Sequence, residues 1–371
     1  MSQVQPEGDK AAIMRHILSA LLAVTMLPAT TAVQAQKPTA QTGLAEATDS
    51  PYRALQALDG QLAAIGYRLG TANAPLCDQR AAATGLQWHD IDQYTDRAAI
   101  SGVFAFDTPI EVAAVVPKSP ADLAGIQVAD AFVALDDTPR VDIEALGSND
   151  ADDPYARIRR IGENLASMSR DGSPITMEFL RQGTTLVKDV KPLPTCATSY
   201  QIRIEDGLDA GADGRMVSVN LPLVQYALDS GGADQDSALP ADDGQLVAVV
   251  AHELAHNILR HRERLDAASV DRGIGRLFGK SAGRIKATEE EADRLSVWLM
   301  LNAGYDPEDA VRFWTRFGKE HGLGIFSDST HYRWKNRVRQ LREEMAAAMA
   351  ADRRNGVLVP PILRAPLPPL D

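Results

Sequence analysis

Cysteine is scarce in this chain: 371 residues carry two, Cys77 and Cys196. Neither has a partner at metal-ligand spacing, so a single disulfide is the first reading, with reactive thiols or zinc ligation as the others. Basic charge is also short, with 38 Lys+Arg against 50 Asp+Glu and a formal net charge of -12. No Lys/Arg-rich stripe with interleaved aromatics offsets that balance, so no nucleic-acid partner is expected. A membrane-spanning run is missing too. The apolar stretch at 17–27 is too short to span and Pro28 follows it, and no later segment is apolar enough to hold a mature chain in a bilayer. Internal repeats are absent.

What is present suffices for two or three domains with real cores. Residues 1–13 are polar and read as an upstream extension. From Met14 the chain has a basic residue, a short apolar run and V-Q-A before Gln36, the pattern of a signal peptide cleaved after Ala35. Export to the periplasm is therefore expected. No cysteine stands near the cleavage site, so no lipid anchor is indicated. In an exported chain two cysteines pair, and a Cys77–Cys196 bridge would clip the base of everything between them. Residues 54–67 place Leu55, Leu58, Leu62 and Ile65 at helical spacing.

From about 101 to 193 the chain is rich in short strands bounded by turn residues. Among them S-P-A-D-L-A-G-I-Q-V-A-D, from Ser119 to Asp130, has a cap at Ser119, Pro120 at the first helical position and a stop at Gly125. It resembles the signature of PDZ domains of bacterial envelope proteases. That resemblance implies a groove for a peptide C-terminus flanked by a helix at 154–168. Two departures stand out: Ala129 replaces the usual glycine, and the best carboxylate-gripping loop is only 102–106. The alternative is a PDZ-like fold that merely packs on its neighbour.

The chemistry concentrates in V-A-V-V-A-H-E-L-A-H-N-I-L-R, from Val247. His252 and His256 are four apart and share a helix face, so they can take two corners of a zinc tetrahedron. Glu253 between them is placed to deprotonate a water held at the metal. Asp242 or Asp243 can cap this helix, and Leu246, Val250, Leu254 and Ile258 give it an apolar face. A third ligand is sought in T-E-E-E-A-D-R-L, where Thr288 and Glu291 form a capping-box pattern that predicts a helix start. Glu289 and Asp293 share a face there, but spacing alone leaves Glu289, Glu290 and Glu291 open.

H-E-L-A-H, then E-x-x-x-D, A-G-Y-D-P and T-H-x-x-x-x-x-R together resemble the zinc metallopeptidase family of the CAAX prenyl protease, HtpX and BepA-type periplasmic peptidases. The resemblance covers roughly residues 200–345. It implies a mainly helical gluzincin-type domain holding one Zn2+ per chain on His252, His256 and Glu289. Glu253 would be the base, Asp293 a residue that orients a ligand from behind, and His331 and Arg337 would stand near the reacting atoms. Tyr332 departs from the family's T-H-P. His261 and His321 are expected to be solvated, and Ser218 and Val219 to lie on a sheet edge beside the zinc helix.

The expected architecture is α+β. It runs as an extension and signal peptide (1–35), a linker and helix (36–100), a β-rich PDZ-like domain (101–195), a metallopeptidase domain with a small strand-rich edge (196–352) and a Pro-rich tail (353–371). The expected function is an exported zinc endopeptidase acting on protein or peptide substrates in envelope quality control or processing. Its rivals are a non-catalytic PDZ-containing chaperone or assembly factor, and a structural-metal protein with His331 as a fourth ligand.

Overall fold

The computed structural model describes residues 50–136, 138–139, 154–168, 172–229, 243–270, 279–321, 334–367 and 369–370. The expected signal segment, His331 and Tyr332 lie outside these. The first helix, α1 (Pro51–Ala72), buries Leu62, Ile65, Gly66, Leu69 and Gly70, the three-and-four spacing of one helix face. A β-carbon at Gly66 would come within 2.4 Å of the Tyr200 ring, so glycine there sets how closely α1 can approach its neighbour. That face belongs to the helical core further along the chain rather than to a separate linker.

A strand-rich unit follows: β1 (Arg80–Ala83), β2 (Leu86–Asp90), α2 (Arg97–Ser101), β3 (Ile110–Val115), α3 (Pro120–Leu123), β4 (Ala131–Leu135), β5 (Thr138–Pro139), α4 (Ala156–Met168), β6 (Ile175–Arg181), β7 (Thr184–Val190) and β8 (Leu193–Cys196). The main sheet runs β2-β3-β4-β6-β7 with β5 beside β4. Its core joins Trp88, Phe132 and Phe179 of the strands to Ile161 and Leu165 of α4. The sheet thus begins at Leu86, ahead of the boundary expected near 101. In the expected capped turn, Ser119 Oγ accepts from Asp122 N at 3.3 Å and Gly125 has φ +77°. Ala129 has φ 67°, a left-handed conformation in which glycine is unstrained and alanine is not. In the loop 102–106 the Val103 and Phe104 amides both donate to Ile100 O, so neither is free to grip a carboxylate.

β1 and β8 pair antiparallel with Arg80 opposite Cys196, and Cys77 is disulfide-bonded to Cys196, the Cα atoms 5.4 Å apart. The chain therefore leaves and re-enters the helical unit at one clipped point.

The second unit comprises β9 (Ser199–Arg203), β10 (Ala210–Ala212), β11 (Met216–Asn220), α5 (Leu221–Leu228), α6 (Gly244–Ile258), α7 (His261–Ala267), α8 (Gly279–Asn302), α9 (Glu308–His321) and α10 (Trp334–Met349). Its small sheet has the order β10-β11-β9, with β11 and β9 parallel. Ser218 and Val219 are thus central, not on an edge; β10 and β9 are the two edges, because β11 pairs antiparallel with β10 on one side and parallel with β9 on the other. The capping reading of Thr288 and Glu291 also fails. α8 begins nine residues earlier, at Gly279, and Thr288 donates its hydroxyl to Ile285 O inside the helix. Gly304, with φ 72°, follows its end.

The described part of the Pro-rich tail is pinned to its own chain. The Asn302 side chain donates to Leu358 O and accepts from Leu358 N, at 3.0 and 2.8 Å. Among the described residues no helix is long and apolar enough to cross a membrane.

Candidate metal centre

α6 is buried on nearly every side, which its run of Leu, Val and Ala dictates, and it crosses the centre of the helical core. Its first turn meets the buried carboxylate of Asp309, which packs where a β-carbon of Gly244 would otherwise stand (2.1 Å) and complements the positive end of the helix dipole. Within this apolar cylinder His252, Glu253 and Asn257 are buried polar groups. Polar groups are buried at a cost unless something engages them; Asp293 engages His252 and the Gly214 amide engages Asn257.

α8 packs along α6 and brings Glu289 to the two histidines. The Nε2 atoms of His252 and His256 are 3.1 Å apart, and Glu289 carboxylate oxygens lie 3.4 Å from the first and 3.5 Å from the second. Metal–ligand bonds of 2.0–2.1 Å at tetrahedral angles put ligand atoms roughly 3.3 Å apart. The three donors therefore fit a small tetrahedral cation, and all lie within 4.8 Å of one another. Two imidazoles and one carboxylate suit zinc better than a hard cation such as magnesium or calcium.

Behind this triad Asp293, one turn further along α8, accepts from His252 Nδ1 at 2.9 Å. That bond fixes the tautomer that leaves Nε2 free toward a metal. Arg337 of α10 donates to Asp293 Oδ1 at 2.6 Å and lies over the Trp314 ring of α9, 3.3 Å from its centroid. α10 is itself tied to α8 where Trp298 and Arg294 both donate to Glu344, at 2.7 and 2.9 Å. Burial opposes the charged form of His252, as does Arg337, but the Asp293 and Glu289 carboxylates outweigh both and lift it to about 9. Burial drives His256 well below its ordinary value and raises the Glu253 carboxyl to about 7.

The structure thus brings together His252, Glu253, His256, Glu289, Asp293 and Arg337, whereas His331 lies outside the described residues. It also adds residues that the sequence reading missed. His261 is not solvated: it is 1% exposed, with Nδ1 2.8 Å from His256 Nδ1 and Nε2 3.0 Å from Glu291 Oε2. Arg264 donates to the same Glu291 oxygen at 2.5 Å. Burial pushes the Glu291 carboxyl up, but the bonds from His261 and Arg264 prevail and hold it at about 2. Asn257, one residue beyond the second ligand, accepts from Gly214 N at 2.7 Å and so ties α6 to the turn joining β10 and β11. His321 is exposed, as expected. The only sequence signal for His261 was its place five residues after His256, which periodicity alone does not distinguish from a surface site.

Fold and site together define a candidate two-histidine, one-carboxylate metal centre with a further buried carboxylate beside it. Comparison with known proteins agrees with that class. Over 129 residues the chain is 33% identical to the mitochondrial metalloendopeptidase OMA1 of Schizosaccharomyces pombe. The match takes in 29% of this chain and 38% of that protein, so it is a partial and distant likeness to a metalloendopeptidase. No family model matches the chain.

Proposed function

We propose that this chain is an exported zinc-dependent endopeptidase, with a gluzincin-type catalytic unit and a PDZ-like unit inserted ahead of it. The observation that carries the reading is the convergence of His252, His256 and Glu289 with Glu253 on the same buried helix. A bound zinc would supply a Lewis acid that polarises a peptide carbonyl and acidifies a water. Glu253, whose carboxyl burial raises above its ordinary value, would take a proton from the attacking water and pass it to the leaving amine nitrogen. Asp293 keeps His252 in the ligating tautomer, and Arg337 holds Asp293. The edge strand β10 offers unpaired backbone groups along which an extended peptide can align. The disulfide supports export, since such bridges persist in oxidising compartments. Envelope protein processing is the role that fits these features.

Metal content and casein cleavage, measured on the wild type and on two glutamine variants, test the reading. Glu253→Gln should retain zinc and lose activity by ~10²–10⁴-fold, the usual cost of removing a general base. Glu289→Gln should weaken zinc binding by about ten-fold or more. A Glu253→Gln protein that cleaves casein at the wild-type rate removes the base, and a wild type that binds zinc without cleaving any peptide favours the non-catalytic assembly factor.

A further inference from the structure

We propose that His261 is a positioning residue for the metal ligand His256, the middle member of a chain that runs from Arg264 through Glu291 and His261 to the metal centre. This rests on the metal-centre reading above and goes beyond it. The argument is one of donors and acceptors. If His256 ligates through Nε2, that atom carries no proton, so its proton is on Nδ1. Nδ1 then donates to the nitrogen 2.8 Å away, His261 Nδ1, which must present its lone pair. The proton of His261 is thereby on Nε2, where it meets the Glu291 oxygen at 3.0 Å. Arg264 completes the carboxylate with bonds of 2.5 and 3.2 Å. Every group has one consistent role, and no other assignment leaves His256 Nε2 free for a metal.

His261 is not one of the three donors that lie together, because its two ring nitrogens meet His256 Nδ1 and Glu291 instead. Its placement depends on the chain reversal between α6 and α7, where Arg260 adopts φ 54°. A left-handed arginine is disfavoured, and such strain persists where the surroundings hold it for a purpose. The consequence is a symmetry of support. Each histidine ligand uses its remote nitrogen, and each is traced back to a carboxylate of α8: His252 directly to Asp293, and His256 through His261 to Glu291.

The test compares wild type, His261→Leu, His261→Gln and Glu291→Gln. Zinc affinity is read by chelator competition, and the visible absorption of bound Co2+ reports ligand geometry. His261→Leu leaves Nδ1–H of His256 without an acceptor and should weaken zinc by ~10–100-fold with an altered Co2+ band. A glutamine can accept with its carbonyl oxygen and donate with its amide, so His261→Gln should restore most of the affinity, a rescue that mere packing would not give. Glu291→Gln keeps an acceptor but loses the charge and should cost up to ~10-fold. Should His261→Leu not fold, Glu291→Gln decides alone, and unchanged zinc affinity there overturns the proposal. Equal affinity and an unchanged Co2+ band in His261→Leu, or equal loss in the Leu and Gln variants, overturns it too. A wild type that binds neither metal overturns the metal centre and the relay with it.

Discussion

Replacing Cys77 and Cys196 together by alanine opens the bridge that closes the strand-rich unit onto the helical core. The cysteines are 119 residues apart, so in the chain-entropy treatment the bridge stabilises the fold by ~4.9 kcal/mol at 25 °C. Two structural features move the true value away from that figure, in opposite directions. Both cysteines are buried, at 6% and 2% exposure, so alanine leaves a small void that adds to the loss; serine is avoided because a buried hydroxyl would add a desolvation cost of its own. Against this, β1 and β8 already pair at the mouth of the loop, with Arg80 opposite Cys196. If the sheet unit outlives the helical core during unfolding, its own strands hold the ends together and the bridge then restrains little. The expected loss on global unfolding is therefore about 2–5 kcal/mol. Urea titration checks it, with circular dichroism for the helical unit and the fluorescence of Trp88, in the sheet core, against Trp298, in the helical core. Coincident transitions license the two-state free energy. A coincident pair of transitions with a loss under ~1 kcal/mol refutes the reasoning, because the loop would then be neither open in the unfolded chain nor closed by the sheet.

Three further perturbations follow from particular positions. Burial lifts the Asp59 carboxyl from 3.8 to about 6, against a bond from the Ile202 amide that lowers it. An acid raised on folding contributes stability below its unfolded value and loses it as pH climbs through the folded one, so stability should fall between about pH 4 and pH 6, by at most ~3 kcal/mol; Asp59→Asn should flatten that part of the curve, and an unchanged slope sinks the assignment. Ala129→Gly should raise the melting temperature, worth ~1 kcal/mol, because it relieves the left-handed φ of 67°. Gly66→Ala should destabilise by ~1–3 kcal/mol, since its methyl meets the Tyr200 ring at 2.4 Å, and thermal unfolding would show a neutral effect if the ring can move aside.

How much of this was legible in the sequence depended on how local each relationship is. His252, Glu253 and His256 sit within one and a half turns of one helix, so their spacing alone announced them. The third ligand was open among three adjacent glutamates, since all three are helix residues and only the angle at which α8 packs on α6 selects Glu289. The start of α8 was misread because Gly279 and Gly283 look like loop residues, although Lys280, Arg284, Ile285 and Ala287 between and beyond them accept a helix. His261 was misread because its burial depends on a left-handed turn at Arg260, a residue type that does not advertise one. The central place of β11 was equally hidden. Strand order is a matter of which segment returns beside which, and nothing local to Ser218 and Val219 shows that β9 runs parallel beside them.

Three of the four acids of α8 divide the work of the centre between them. Glu289 faces the Nε2 atoms of His252 and His256, Asp293 one turn later holds His252, and Glu291 between them points to the other flank and meets α7. A helix turns about 100° per residue, so one alternating run of acids supplies two faces at once. The same helix is clamped to α10 through Glu344, and α10 returns Arg337 to Asp293. Each of these groups therefore stands on a regular helix rather than on a loop, which fixes its direction to within the tolerance a metal requires. Rigidity of this kind has a cost in adaptability. A single residue inserted in α8 ahead of Glu289 would rotate all three carboxylates away from their partners together, and no side-chain movement could restore the ligand, the Asp293 bond and the Glu291 relay at the same time.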